Sequence, residues 1–158
     1  MAASRSILVG LGNPILSDDA VGIVVARRVW EALGNPPGVN CVEAAVGGIE
    51  LVEMLAGYDK AVVVDAIHTG TCRPGEFSCI DFSAICVSEI PAMTHRVGLA
   101  EAIELARRLN MHIPRTIHVY AIEVEDIMTF GTSMTDSVAA AVPAVAAHIL
   151  SAEFGDGE

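Results

Sequence analysis

Ile7-Leu8-Val9-Gly10-Leu11-Gly12-Asn13-Pro14-Ile15-Leu16-Ser17-Asp18-Asp19-Ala20-Val21-Gly22 is the stretch on which the fold turns. Ile7-Leu8-Val9 is an apolar run without alternation, the pattern of a strand covered on both faces. Gly10 and Gly12 permit a tight turn after it. Val21, Val25 and Val29, with Val24 beside them, then line one face of a helix over 18–33. Strand, glycine turn and helix make the first half of a parallel crossover. Ala61-Val62-Val63-Val64, ending on Asp65, and Thr116-Ile117-His118-Val119-Tyr120 read as two more buried strands, and 39–42 as a weaker one. Residues 76–82, after Pro74-Gly75, place Phe77, Cys79 and Asp81 opposite Ser78, Ile80 and Phe82 and suit a strand near an edge, open to antiparallel pairing. Helical spacing recurs at Ile49, Val52 and Leu55, and again at Leu99, Ala102, Ile103, Ala106 and Leu109. A last helix is expected from about Ser133, with the Ser133 hydroxyl as cap, Asp136 in the first turn and a kink at Pro143. The order β-α-β-α-β-β-α-β-α predicts an α/β fold. It is a three-layer α/β/α sandwich on a five-stranded, mostly parallel sheet with one antiparallel strand, in a single domain over 1–158.

Composition narrows the function. The 158 residues are 53% hydrophobic, enough for one core, and carry a net charge of −11. Lys60 is the one lysine. With no basic run to neutralise phosphates, neither nucleic acid nor an anionic membrane is an expected partner. The longest apolar run, 138–147, is interrupted by Pro143 and far short of the ~20 residues that span a bilayer. Gly10, Gly12, Asn13 and Pro14 break the N-terminal apolar stretch too early for a signal peptide. Cys41, Cys72, Cys79 and Cys86 form no Cys-x-x-Cys pair and read as reduced thiols. A cytoplasmic monomer is expected.

Ligands of open α/β sheets sit outside the carboxyl ends of the strands. Three places therefore matter: the loop after Val9, the loop after Val64, and the segment before the third long helix. The first is not a dinucleotide loop, since Ile15 stands where a third glycine would be needed and two acids open the helix. Leu8-Val9-Gly10-Leu11-Gly12-Asn13-Pro14 resembles the opening of bacterial peptidyl-tRNA hydrolases. The histidine run that follows there is replaced here by Ser17-Asp18-Asp19-Ala20. What remains is acids and histidine. Asp18 is read as complementing a helix dipole. Asp19 returns to the mouth of the sheet, Asp65 ends a central strand, and His95 precedes a helix. His112, His118 and His148 read as structural, and His68 stands close to Asp65 but on a loop. Two carboxylates and one imidazole suit a divalent transition metal with open water positions, nickel or zinc rather than copper(I). An aspartic dyad sharing a proton is the rival use of the same acids. Neither Ser17 nor Cys72 has a neighbouring base that would make it a nucleophile.

Gly10-x-Gly12-Asn13, then Asp18-Asp19-Ala20-x-Gly22, then Val64-Asp65-Ala66-Ile67, then Thr94-His95-x-x-Gly98-Leu99 resembles the [NiFe]-hydrogenase maturation endopeptidases, from Ile7 to about residue 150. The resemblance implies removal of a C-terminal extension from a hydrogenase large-subunit precursor after nickel insertion. It implies Asp19, Asp65 and His95 as both catalytic and metal-contacting residues, nickel brought by the substrate, and no organic cofactor. A non-catalytic nickel-binding maturation chaperone of the same fold is the alternative. One departure stands out: Glu43-Ala44-Ala45-Val46 replaces the Asp-Gly-Gly-Thr of many members. If that loop contacts substrate, the hydrogenase recognised belongs to a different group. Gly131-Thr132-Ser133-Met134-Thr135 is similar to the family's lead into its final helix.

Overall fold

The apolar runs become the inner strands of one sheet. In a computed structural model, which describes residues 3–83 and 98–155, β1 (Ser6–Leu11) and β3 (Lys60–Ile67) lie side by side and parallel at the centre, and both are almost wholly buried. β2 (Val39–Ala44) flanks β1 in parallel, and β5 (Thr116–Glu123) flanks β3 in parallel. β4 (Phe77–Asp81) closes the far edge antiparallel to β5, giving the order β2-β1-β3-β5-β4. This is the expected sheet, with the segment after Pro74-Gly75 at the edge where a half-exposed strand belongs.

Strand alternation divides the core into two layers. Ile7, Val9, Ala61, Val63, Ile117 and Val119 face α2 (Gly48–Leu55) and α3 (Leu99–Arg108). Leu8, Val62, Val64, Tyr120 and Ile122 face α1 (Val21–Leu33) and α4 (Asp136–Phe154). Among the described helices, α4 alone is long and apolar enough by composition to cross a membrane. Val138, Val142, Val145, Ala146 and Ile149 on it are buried in the layer shared with α1, as in a core helix.

Three expectations are corrected. The central strands run past the predicted boundaries: Gly10 and Leu11 pair within β1, and Asp65 pairs with Ala121 inside β3 rather than opening a loop. Ladder pairing with β5, which continues through Ala66 and Ile67 after the β1 ladder has ended at Val64, outweighs the change in residue polarity at Asp65. The acids expected at the first turn of α1 lie in a separate 3-10 turn, Ser17–Ala20, just before it. The last helix begins at Asp136 with Thr135 as its cap residue, not Ser133. The Ser133 carbonyl instead accepts a hydrogen bond from the Ser17 hydroxyl at 3.1 Å.

Candidate active site

Glycine builds the corner where the acids stand. A Cβ on Gly22 would lie 2.4 Å from the carbonyl oxygens of both Leu11 and Val64. Only a glycine therefore lets the start of α1 sit directly on the carboxyl ends of β1 and β3. At Gly12, φ is +146° and a Cβ would stand 2.0 Å from the Asp19 carbonyl oxygen. The turn after β1 thus folds back onto the 3-10 turn, which in turn packs on β3. Asp19 arrives three residues before Gly22, and Asp65 follows Val64, so both reach the same corner of the sheet.

Both carboxylates are shielded from water. Asp65 is fully buried and Asp19 is 4% exposed. Asp19 Oδ2 accepts the Asn13 backbone N–H at 2.8 Å, which fixes the carboxylate over the turn. The neighbours of Asp65 on β3, Val64 and Ala66, face the α1 and α4 layer, so alternation turns Asp65 towards the α2 and α3 side. Gly98, the cap residue of α3, belongs to that side as well, since Leu99 next to it packs in that layer. His95, the third residue of the expected set, lies outside the described residues, as does Cys86.

Asp18 has a different task. It is fully buried. Its two oxygens accept N–H groups from Glu125 at 3.1 Å, Asp126 at 2.9 Å and Thr135 at 2.7 Å, and the Thr135 hydroxyl reaches both, at 2.8 and 3.0 Å. One carboxylate therefore ties the first loop to the segment after β5 and to the cap of α4. Parallel backbone bonds, Asp18 N–H to Asp126 and Ser17 N–H to Gly131, complete the seam. The structural role expected for Asp18 holds, but its cause is this set of donors rather than the dipole of its own helix.

Glu123 was not legible as a site neighbour. It ends β5, is buried, and accepts the Thr69 hydroxyl at 2.7 Å and the Gly70 N–H at 2.8 Å, so it holds the chain that leaves β3. His68, on the loop after β3, contacts the Val124 carbonyl through Nδ1 at 3.1 Å. Glu43 is the acid that remains where the common loop motif is lost. It sits on edge strand β2 and pairs with Arg27 of α1 through both guanidinium nitrogens, one of them at 2.8 Å.

A second polar cluster lies nearer the amino ends of the central strands. Glu153 on α4 receives Lys60 Nζ at 2.8 Å, the Tyr120 hydroxyl at 2.6 Å and His118 Nδ1 at 2.7 Å. Burial pushes the Glu153 carboxyl up, but those three donors outweigh it and hold the group below the usual glutamate range. Burial, then the bond to Glu153, pushes the Tyr120 phenol up. Glu153 thereby fastens α4 to β3 and β5.

Comparison with known proteins agrees with this architecture. The Escherichia coli hydrogenase maturating endopeptidase HybD superposes with a TM-score of 0.73 at 24% identity, covering 94% of this chain and 91% of its own. The hydrogenase maturation protease HycI of Thermococcus kodakarensis KOD1 gives 0.67 at 22%, covering 92% and 90%. Among sequences, the hydrogenase 2 maturation protease of Escherichia coli K12 is 24% identical over 129 residues, 78% of this chain and 75% of that protein. The hydrogenase expression/formation protein HupD of Rhizobium leguminosarum bv. viciae is 24% identical over 149 residues, 90% and 70%. The HycI family model, described as hydrogenase maturation protease, matches residues 23–152, and the chain belongs to the hydrogenase maturation protease family.

Proposed function

We propose that this chain is the endopeptidase that removes the C-terminal extension from the nickel-loaded large-subunit precursor of a [NiFe] hydrogenase, acting in the cytoplasm as a monomer. The observation that carries the reading is the pair of buried acids, Asp19 and Asp65, gathered at one corner of the carboxyl edge in a chain of this protease family. Carboxylates are hard oxygen donors of the kind a divalent ion takes, and an ion carried in by the substrate would meet both at this corner. With His95 as nitrogen donor, the set has hard and borderline ligands and no thiolate, so it would complete a nickel shell rather than extract the ion from a thiolate site. Nickel at the cut would polarise the scissile carbonyl or lower the pKa of a bound water. Asp19 and Asp65 would orient that water and take its proton. Attack by water leaves no acyl-enzyme.

A protein substrate is also favoured by the surroundings. The segment after β5 runs beside the first loop through the Leu16–Gly131 bridge. There Met128 and Phe130 are 79% and 78% exposed, and Ile15 stands out beside them. Large apolar side chains grouped around a site suit a macromolecular surface.

The test uses purified precursor, nickel-free and nickel-loaded, incubated with this protein and read by mass spectrometry. Loss of a C-terminal peptide from the loaded form alone is expected. Equal cutting of both forms removes the nickel requirement. Binding without any cutting supports the maturation chaperone, which no observation favours at present.

A further inference from the structure

Beside Asp65, on the same face of the sheet, lies a cavity of about 300 Å³ that contains neither Asp19 nor Asp65 in its wall. Ile67, Ile80 and Ala121 form its apolar floor, and Thr69, Cys72 and Ser78 stand around it. Its position follows from register. Asp65 pairs with Ala121, and Ala121 pairs with Ser78, so the three residues form one row across β3, β5 and β4. Neighbouring strands are ~4.8 Å apart, so the cavity begins about 5 Å from Asp65 and ends about 10 Å from it.

We infer that this cavity is a specificity pocket for one large apolar side chain of the precursor, from a residue within about three positions of the scissile bond. The inference rests on the protease reading above. An extended peptide advances ~3.3 Å per residue, so a chain whose cut bond lies at Asp65 reaches 5–10 Å away in two or three residues. The volume is at the lower end of the roughly 300–1,000 Å³ of small-molecule pockets, which suits a side chain better than an organic cofactor. The chemistry of the wall points the same way. Two acids line it: buried Glu123 has its oxygens occupied by the Thr69 and Gly70 donors, and exposed Glu76 accepts the Arg73 N–H at 3.4 Å, so the floor itself is left to Ile67, Ile80 and Ala121. The β4 edge beside the pocket has no strand partner on its outer side among the described residues. An extended substrate segment can therefore approach along it.

Two measurements test the pocket. The first is an alanine scan of the four precursor residues on each side of the cut, with wild type and with Ser78→Phe. Ser78 is exposed on the edge strand, so the larger side chain fills the pocket without entering the core. One position is expected to lose at least tenfold in kcat/KM on going to alanine with wild type. Ser78→Phe is expected to cut the native precursor at least tenfold more slowly, and to recover with that alanine precursor. The second measurement does not depend on cleavage or on Ser78→Phe folding. Alkylation of exposed Cys72 by iodoacetamide, read by peptide mass spectrometry, is expected to slow about tenfold when intact precursor saturates the Asp19→Asn variant. A flat alanine scan with no protection of Cys72 overturns the pocket while cleavage by wild type leaves the protease reading standing. Protection of Cys72 with no cleavage by any form keeps the pocket and rejects the protease.

Discussion

Replacing Asp18 should unfold this protein far more readily than replacing its neighbour Asp19, although both are acids on one turn. Asp18 accepts three backbone N–H groups and the Thr135 hydroxyl. A hydrogen bond to a charged group contributes ~1.5–3 kcal/mol, so the four together have a ceiling of roughly 6–12 kcal/mol. That ceiling is not reached, because Glu125 is exposed and Asp126 and Thr135 are half-buried, so water can replace part of what is lost. About 3–4 kcal/mol is the expected cost of Asp18→Ala. For a chain of this length, each kcal/mol moves the melting temperature by ~2–4 °C, which gives a fall of roughly 6–15 °C. Asp18→Asn keeps one acceptor oxygen but turns an amide NH2 against an N–H donor, and about half that fall is expected. Asp19→Asn retains an acceptor for the Asn13 N–H and should melt within a few degrees of wild type while processing of the precursor is abolished. The assay is thermal unfolding followed by circular dichroism, alongside precursor cleavage. A shift under about 2 °C for Asp18→Ala would refute the view that this carboxylate fastens the two loops, and full activity in Asp19→Asn would refute its contact with the reacting centre.

Gly22→Ala places a Cβ against two backbone carbonyls that cannot move independently. A loss of about 2–3 kcal/mol in urea unfolding, with activity falling as α1 lifts from the sheet, is expected, and wild-type stability would contradict the close approach. The Glu153 carboxyl is held below its ordinary value of 4.5. Its contribution is therefore complete above that value and lost as pH falls through the lower folded one. Glu153→Gln should be less stable than wild type at pH 7, with the gap closing below about pH 4; a gap constant with pH would show that the charge is not what matters. Burial, the main cause, pushes the Cys41 and Cys79 thiols up, so few thiolates form at neutral pH. Peptide mapping after iodoacetamide should show half-buried Cys41 reacting more slowly than exposed Cys72, and Cys41→Ser with Cys79→Ser should cleave precursor at the wild-type rate.

Much of this architecture is legible because buried parallel strands leave an unambiguous mark. Val62, Val63 and Val64 need apolar cover on both faces, and β-branched runs of that kind fix the sheet's centre. The edge strand β4 is legible for the opposite reason, since its mixture of polar and apolar residues after Pro74-Gly75 suits a strand that is half exposed. Strand ends were less so. Gly10 and Asp65 look like breaks by composition, yet pairing with β2 and β3 carries the ladder through Gly10 and pairing with β5 carries it through Asp65. The candidate site divides in the same way. Asp19 and Asp65 follow from their place in the chain, because the carboxyl edge of such a sheet is where ligands meet it. The tasks of Asp18 and Glu123 depend on donors 107 to 117 and 53 to 54 residues away respectively, and no local pattern encodes such partners.

The contrast between Asp18 and Asp19 explains how one short turn can both hold the fold and serve the site. In a 3-10 turn, successive side chains are ~120° apart, so two adjacent acids cannot address the same centre. Asp18 faces the segment after β5 and becomes saturated with donors from it. Saturation fixes the turn, and a fixed turn sets the direction of Asp19 towards the corner where β3 carries Asp65. Gly12 and Gly22 act on the same element from its two sides, by the backbone approach each permits. The turn that carries Asp19 is therefore positioned by Asp18, Gly12 and Gly22, and the hydrogen bond from Asn13 acts on the carboxylate after the turn is set. It follows that Asn13→Pro, which removes that N–H, should perturb cleavage less than Asp18→Asn does. Comparing kcat for the two variants at a temperature where both remain folded separates these causes, and a larger loss in Asn13→Pro would assign the orientation of Asp19 to the loop bond instead.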